Sequence, residues 1–518
     1  MQAVNKEKTK VYAPATGELI MEYEETPAIQ AADMMERAKS AFWGWSALSV
    51  RERVSYIKNL REAVVEDIDA IAELIAKDVG KVRTDALVAD IMPSLDAMLH
   101  VEKHAEKTLR SQKVKTPFLL MGKKSMVEYM PMGTVLVISP WNYPFLLSLS
   151  PMLSALAAGN TVILKPSEVT PAVGILIESL FEKAKFPPNV VQVAHGGKEL
   201  GASLTNAKPD YIFFTGSVAT GKIIQQAAAR DLIPTTLELG GKDPMIVLQD
   251  ADLKRAAEGA AWGAFTNSGQ VCMSVERLII EEMVMEPFLE ELLPLVNQLK
   301  QGSGADDDIG SMTSRMQIDI VKQQVEDALE KGAVLLAGEH PSKWDLDSMF
   351  IKPLILSQVT EDMMIMQEET FGPVLPIISA EDEEDAVRIA NGTRYGLNAS
   401  VWSRDKEKAR RISSRLQSGA VLINDVLITV ANNNLPFGGV KDSGIGRYHG
   451  ENGIRMFCHE KAVMEDLGYK KSEIQWYPYK EKYESFRNLL VANFGKSRSF
   501  NDVLKEYLKL IRMTKSKS

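Results

Sequence analysis

Cys272 sits in the stretch NSGQVCMSVER and is one of two cysteines in the chain, the other being Cys458. A cysteine is either a small buried hydrophobe or, as a thiolate, a nucleophile, and the flanking residues alone do not decide between them. Four other stretches carry groups whose chemistry bears on that choice. In LELGGK, Glu238 ends an apolar run and precedes Gly240 and Gly241. A carboxylate at a strand end beside so permissive a turn can act as a general base or simply be solvated. In SPWNYP, Asn142 stands just ahead of a helix that opens on Pro144. Its N–H donors and the positive end of the helix suit an oxyanion, and they suit a simple cap equally. ILKPSE and FFTGSVATG place Lys165 and Glu168 after one strand, and Gly216, Ser217 and Gly221 in a turn leading into a helix. That is a setting for ribose hydroxyls and phosphate, although the spacing G-x-x-x-x-G is not the G-x-G-x-x-G of the common dinucleotide fingerprint. EETFGPV and LPFGGVKDSGIGRYHG, taken singly, read as a loop and a glycine-rich turn.

Groups so far apart in sequence need a framework that brings strand ends together. From Gly133 the runs TVLVIS, NTVILKPSE, NVVQVAHGG, YIFFTGS, TTLELGG and PMIVLQD alternate with helical patterns, which predicts βαβ units and a mostly parallel sheet. Pro144–Ala158 and Val218–Arg230 read as helices apolar on one face. Residues 28–110 form a helical lead-in, with a helix C-terminus expected at Gly80. After Cys272 a second α/β stretch follows, with GAVLLAG, PLILSQV, VLPIISA, ASVWS and GAVLIND as strands. Residues 114–130 suggest a hairpin outside either core.

A chain of 518 residues exceeds one core and predicts two to four domains. With 45% apolar and 25% charged residues the composition is that of an ordinary globular protein, which excludes disordered, collagenous and disulfide-built classes. The net charge of -9 offers no basic face for nucleic acid. No secretory signal and no run of about 20 apolar residues is present, and two cysteines fit a reducing compartment, so a cytoplasmic protein is expected. Residues 469–518 differ from the rest: twelve Lys/Arg against five Asp/Glu, in a chain whose total is acidic. There, Val503, Leu504, Tyr507, Leu508 and Ile511 are predicted to share one helical face opposite lysines. Such a helix docks on its own protein or lies on an anionic membrane, and self-docking is the expected outcome.

Taken together and in order, PWN, KPSE, FTGS, ELGGK, GQxC, E-x-FGP and PFGG resemble the NAD(P)-dependent aldehyde dehydrogenase superfamily from about Pro14 to about Ala462. NLPFGGVKDSGIGRYHG and YGLNASVW lean toward its class 3-like or semialdehyde dehydrogenase-like branches. The resemblance implies a Rossmann-like NAD-binding domain (1–113 and 131–239), an α/β catalytic domain (240–440) and a small β oligomerisation element (114–130 and 455–468). The basic extension at 469–518 lies beyond it. It implies Cys272 as nucleophile, Glu238 as general base and Asn142 as oxyanion donor together with the Cys272 N–H. Cofactor contacts would fall on Lys165 and Glu168 at the ribose, on Gly216, Ser217 and Gly221 at the pyrophosphate, and on Trp141, Glu369 and Phe371 at the nicotinamide. No metal is implied. Tyr143, Leu147, Met273 and Phe437 would line the substrate channel, which suits aliphatic or aromatic aldehydes. Succinate semialdehyde is the alternative, with Arg277 and Arg447 as candidate partners for its carboxylate. Glu238 argues for hydrolysis of a thioester over transfer to coenzyme A, and the intact trio argues against a non-catalytic binding protein on the same fold. NAD is the expected cofactor, NADP a possible one, because Glu168 would repel a 2′-phosphate. A homodimer or dimer of dimers is expected.

Overall fold

The computed structural model describes residues 8–345, 347–468 and 471–515; residues 1–7 of the expected NAD-binding segment, and 469, 470 and 516–518 of the basic extension, lie outside them. The chain divides into two compact units, Met1–Leu109 with Met130–His459, and Arg110–Tyr129 with Glu460–Ser518.

The larger unit contains two parallel sheets. In the first, the order is Gly444–Ile445, Thr235–Glu238, Tyr211–Thr215, Thr134–Ile138, Thr161–Lys165, Val191–Val193, with only the two-residue edge antiparallel. Thr134–Ile138 and Thr161–Lys165 are buried at every position, which is why they appear in the sequence as unbroken apolar runs: helices cover both faces of a parallel sheet. Leu136, Ile163, Ile212 and Phe214 pack there with Met34 and Met35 of the helix Ala31–Ser46. The helix Pro144–Ala158 was expected to be apolar on one face; all of its residues but Ser154 are buried, because the helices Val50–Glu66 and Met92–Thr108 pack over the side that a two-layer arrangement would leave to water. Ile68–Val79 ends at Gly80 in the left-handed region (φ 85°), where an added Cβ would meet Ser311 Oγ at 2.3 Å.

The second sheet runs Val334–Ala337, Leu354–Ser357, Val374–Ala380, Val275–Glu281, Asp243–Val247, Asn398–Trp402, Ala420–Ile423, antiparallel only at its first edge. The chain crosses between the sheets in the four residues after Glu238, and Asp243 then pairs beside Val275. Glu238 and Cys272 therefore lie just ahead of two adjacent strands, which gathers them at one end of the second sheet.

In the smaller unit, strands Cys458–Asp466, Lys123–Pro131 and Gln112–Val114 form a sheet in that order, the last two antiparallel. Helices Tyr483–Phe494 and Phe500–Lys515 pack on one another around Ile474, Leu489, Tyr507 and Leu510. The inward face of the last helix is rotated from the expected one. Val503, Tyr507 and Leu510 are buried, Leu504 is half-buried and Leu508 is exposed, because the spacing 503, 507, 510 centres on the contact with Leu489 and Ile474. Among the described residues no helix is long and apolar enough to cross a membrane.

Candidate active site

The strand order of the first sheet reverses between Thr134–Ile138 and Tyr211–Thr215, and a cavity of about 1120 Å³ opens at the carboxyl ends of those strands. Such a crevice at a switch point is where open α/β sheets bind ligands. Cys272, Glu238 and Asn142 line it, with Trp141, Leu147, Lys165, Glu168, Gly216, Ser217, Glu369, Phe371 and Phe437.

Cys272 is brought to the cavity by a strained turn. Asn267 (φ 50°), Ser268 (φ 56°) and Gly269 (φ 70°) are three successive left-handed residues. Two of them are not glycine, which costs about 1–3 kcal/mol each and persists only where neighbours hold the turn. Asp85 accepts from the Asn267 N–H at 3.1 Å and from Thr266 Oγ1 at 3.3 Å. Gln270 is fully buried, donates from Nε2 to Asn267 O and accepts from the Thr313 N–H at 2.9 Å. Gly269 is obligatory, since a Cβ there would lie 2.1 Å from Gly372 O. Burial pushes the Cys272 thiol well up from its ordinary value, and Glu369, Asp243 and Glu238 add to that.

Glu238 ends its strand buried, with neither carboxylate oxygen hydrogen-bonded. Burial raises its carboxyl well above the usual range, and Arg447 offsets this only in part. A carboxyl without a partner, facing a cavity and with its proton affinity raised by burial, is in its carboxylate form a stronger base toward something that enters than a solvated carboxylate is.

Asn142 is 2% exposed and fixed from both sides. Its backbone carbonyl accepts from Lys81 Nζ at 2.8 Å and from Asn267 Nδ2 at 3.2 Å, while its own Nδ2 donates to Gln270 O at 3.0 Å. One amide hydrogen is thus taken up in orienting the side chain, and the second remains for a ligand. Lys81 is held in turn by Asp90 at 2.7 Å and lies 3.9 Å over the Tyr143 ring.

The segment Glu369–Phe371 is pinned as firmly. The Thr370 and Phe371 N–H groups donate to Glu276 at 2.8 Å each, and Gln317 and Gln324 donate to the Thr370 and Glu369 carbonyls at 2.8 and 3.0 Å. Glu276 is paired with the buried Lys242 at 2.8 Å. Glu369 accepts from the Gly241 N–H at 3.2 Å, and burial, then Glu276, raises its carboxyl to about 8. Trp141 and Phe371 meet edge to face at 5.3 Å.

At the far end of the cavity, Lys165 Nζ binds Glu168 at 2.7 Å, and Ser217 caps the helix Val218–Ala229 by accepting from the Thr220 N–H. A helix N-terminus, a glycine turn and a Lys–Glu pair in one extended crevice fit a dinucleotide. Lys198 and Arg230 add positive charge there.

Four expected site residues are placed elsewhere. Tyr143 and Met273 are buried and do not line the cavity, Tyr143 because its ring is held under Lys81. Gly221 does not line it either; its lack of a side chain admits Leu239, whose Cδ2 would lie 2.6 Å from a Cβ. Arg277 is fully buried, donates to the carbonyls of Lys242, Ile389 and Ala390, and does not line the cavity. The supporting residues Lys81, Asp85, Asp90 and Glu276 gave no signal in the sequence beyond being charged, and Lys242 appeared only as the last residue of ELGGK.

The chain matches the profile of the "Aldehyde dehydrogenase family" over residues 1–463. It is 43% identical over 485 residues to the 4,4'-diapolycopene aldehyde oxidase of a Methylomonas species, covering 93% of this chain and 91% of that one. It is 35% identical to the 4,4'-diaponeurosporen-aldehyde dehydrogenase of Staphylococcus aureus, covering 83% and 93%. Among solved structures, an NAD-dependent aldehyde dehydrogenase from Sinorhizobium meliloti superposes with a TM-score of 0.86 at 31% identity, over 92% of this chain and 94% of that one.

Proposed function

Because the chain belongs to the aldehyde dehydrogenase family and so oxidises an aldehyde with NAD(P), we propose that Cys272, Glu238 and Asn142 carry the reaction. The observation that supports this most is their convergence on one cavity that also holds the dinucleotide crevice. The Cys272 sulfur, its proton passing to water in the cavity, bonds to the aldehyde carbon as the carbonyl π pair moves onto oxygen. The alkoxide so formed accepts from the second Asn142 Nδ2 hydrogen and from the Cys272 N–H. Bound NAD(P) supplies the hydride acceptor. The thioester left on Cys272 is hydrolysed by a water whose proton passes to Glu238, giving the carboxylic acid. Asn142→Ala is expected to lower kcat by roughly a hundredfold with a smaller change in KM, as loss of one oxyanion donor does, about 3 kcal/mol. Steady-state kinetics on the purified variant measure it, and an unchanged kcat would remove Asn142 from the mechanism.

For the substrate we infer an aldehyde on a long apolar hydrocarbon skeleton. Leu147, Phe437 and Ile138 line the cavity, and the only arginine among its walls, Arg230, belongs to the nucleotide end. A distal carboxylate, as on succinate semialdehyde, finds no partner there. The two relatives described above are named for aldehydes of 4,4'-diapolycopene and 4,4'-diaponeurosporene. Rates with long polyene, short aliphatic, aromatic and carboxylated aldehydes, each with NAD and NADP, test this. The polyene aldehyde is expected to give the highest kcat/KM, and a preference for succinate semialdehyde would overturn the reading.

NAD is the preferred cofactor on this reading, since Glu168 opposes a 2′-phosphate, while Lys198 and Arg230 leave room for NADP. The protein works in the cytoplasm as a homodimer or dimer of dimers. Support for the assembly is that the sheet of Gln112–Val114, Lys123–Pro131 and Cys458–Asp466 ends on a long strand whose Met464 is exposed.

A further inference from the structure

The C-terminal helix pair of the smaller unit leaves an apolar side uncovered. In Tyr483–Phe494 the residues facing the small core are Ser485, Phe486 and Leu489. On the other side Tyr483, Leu490, Val491 and Phe494 recur at helical spacing, each 50% exposed or more. A helix on a soluble surface places polar residues there; this one is apolar on both sides. The same character continues at either end of the helix, with Trp476, Tyr477 and Tyr479 exposed before it and Phe500 after it. Basic residues are interleaved: Arg487 stands within the stripe, and Lys496 and Arg498 occupy the turn between Phe494 and Phe500. Among the described residues none of these three is paired with a carboxylate. The extension from 469 to 518 holds twelve Lys/Arg against five Asp/Glu, whereas the chain as a whole is at -9, so the remainder is strongly acidic.

We propose that this face docks on an anionic lipid bilayer. Tyr and Trp have an apolar body and a wet end, and so settle at the boundary between headgroups and acyl chains. Leucine, valine and phenylalanine reach slightly deeper, while lysine and arginine meet lipid phosphates. The helices are too short and too charged to cross, so the contact lies in the plane of the surface. Charge complementarity favours this occupant: an anionic surface attracts the excess of lysine and arginine in the extension. On the substrate reading above, the bilayer is also where a long apolar aldehyde is dissolved.

The test is flotation of the full-length protein with vesicles of phosphatidylcholine alone and of phosphatidylcholine mixed with phosphatidylglycerol. Binding is expected to the anionic vesicles only and to weaken with added salt. Leu490→Ser with Phe494→Ser, and separately Lys496→Glu with Arg498→Glu, are each expected to lower binding by about tenfold or more. Both pairs should retain wild-type turnover of benzaldehyde, a water-soluble aldehyde, which shows that the fold is intact. Absence of wild-type binding, equal binding to both vesicle types, or unchanged binding by the serine pair would overturn the proposal. A serine pair that changes oligomer size in sedimentation, with no vesicle binding by the wild type, would assign the face to a second copy instead. Vesicle binding is read without turnover, so its failure is separate from failure of the substrate reading.

Discussion

Replacing Cys272 with alanine is expected to abolish aldehyde-dependent reduction of NAD(P), lowering kcat/KM by about four orders of magnitude or more. The size of the loss follows from what the sulfur does. A free aldehyde is a poor hydride donor, whereas the same carbon bearing an alkoxide and a thioether readily releases hydride. No other thiol lines the cavity, and Lys165, one of its two lysines, is paired with Glu168 at 2.7 Å. The turn that presents Cys272 is held by Asp85, Gln270 and Thr313 and not by the sulfur, so the alanine variant should fold and still bind dinucleotide. Dinucleotide binding by fluorescence, alongside turnover, separates the two. Retention of more than about 1% of wild-type turnover would exclude the covalent route.

Glu238→Gln is expected to spare the first turnover and stall the second. Glutamine has the size of the protonated carboxyl and leaves the alkoxide donors in place, so rapid mixing should show one equivalent of reduced nicotinamide per site. The steady-state rate that follows should be lower than wild type by about 10²–10⁴, the range for loss of a general base. The pH dependence distinguishes a base from a bystander. Burial raises the Glu238 carboxyl well above the ordinary carboxylate range, with Arg447 offsetting part of it, so its basic form grows as pH rises over a correspondingly higher range. Wild-type steady-state turnover should therefore climb with pH, and in the variant the part of that rise due to deacylation should vanish. A variant with no burst, or with the wild-type pH profile, would transfer the role elsewhere.

The α/β framework was readable because its strands are buried on both faces: TVILK and TVLVI stand out as continuous apolar runs, and each run became a strand of the expected sheet. That Cys272, Glu238 and Asn142 belong to one site was readable only from their motifs taken together, since their separation in sequence hides their convergence on one cavity. The supporting charges were not readable. Asp85 acts on Asn267 across 182 residues and Glu276 on Phe371 across 95, and a buried ion pair looks no different in sequence from a solvated one. Tyr143 and Met273 were misplaced for a related reason. A residue adjacent to a site residue can point away from the ligand, and at Tyr143 the determining contact is Lys81, 62 positions earlier. The last helix has apolar residues over a wide arc, so Leu508 and Leu510 compete for the inward side until a partner helix chooses.

The two-residue strand Gly444–Ile445 pairs with Glu238 and Leu237 at the edge of the first sheet. During synthesis that edge has no neighbour until about two hundred further residues have left the ribosome. A nascent chain therefore exposes the unpaired backbone of the very strand that ends on Glu238, a template for pairing with another chain. Release of a sound enzyme thus depends on how promptly a late segment finds an early one, and truncation just before Gly444 should give aggregates rather than a smaller working protein.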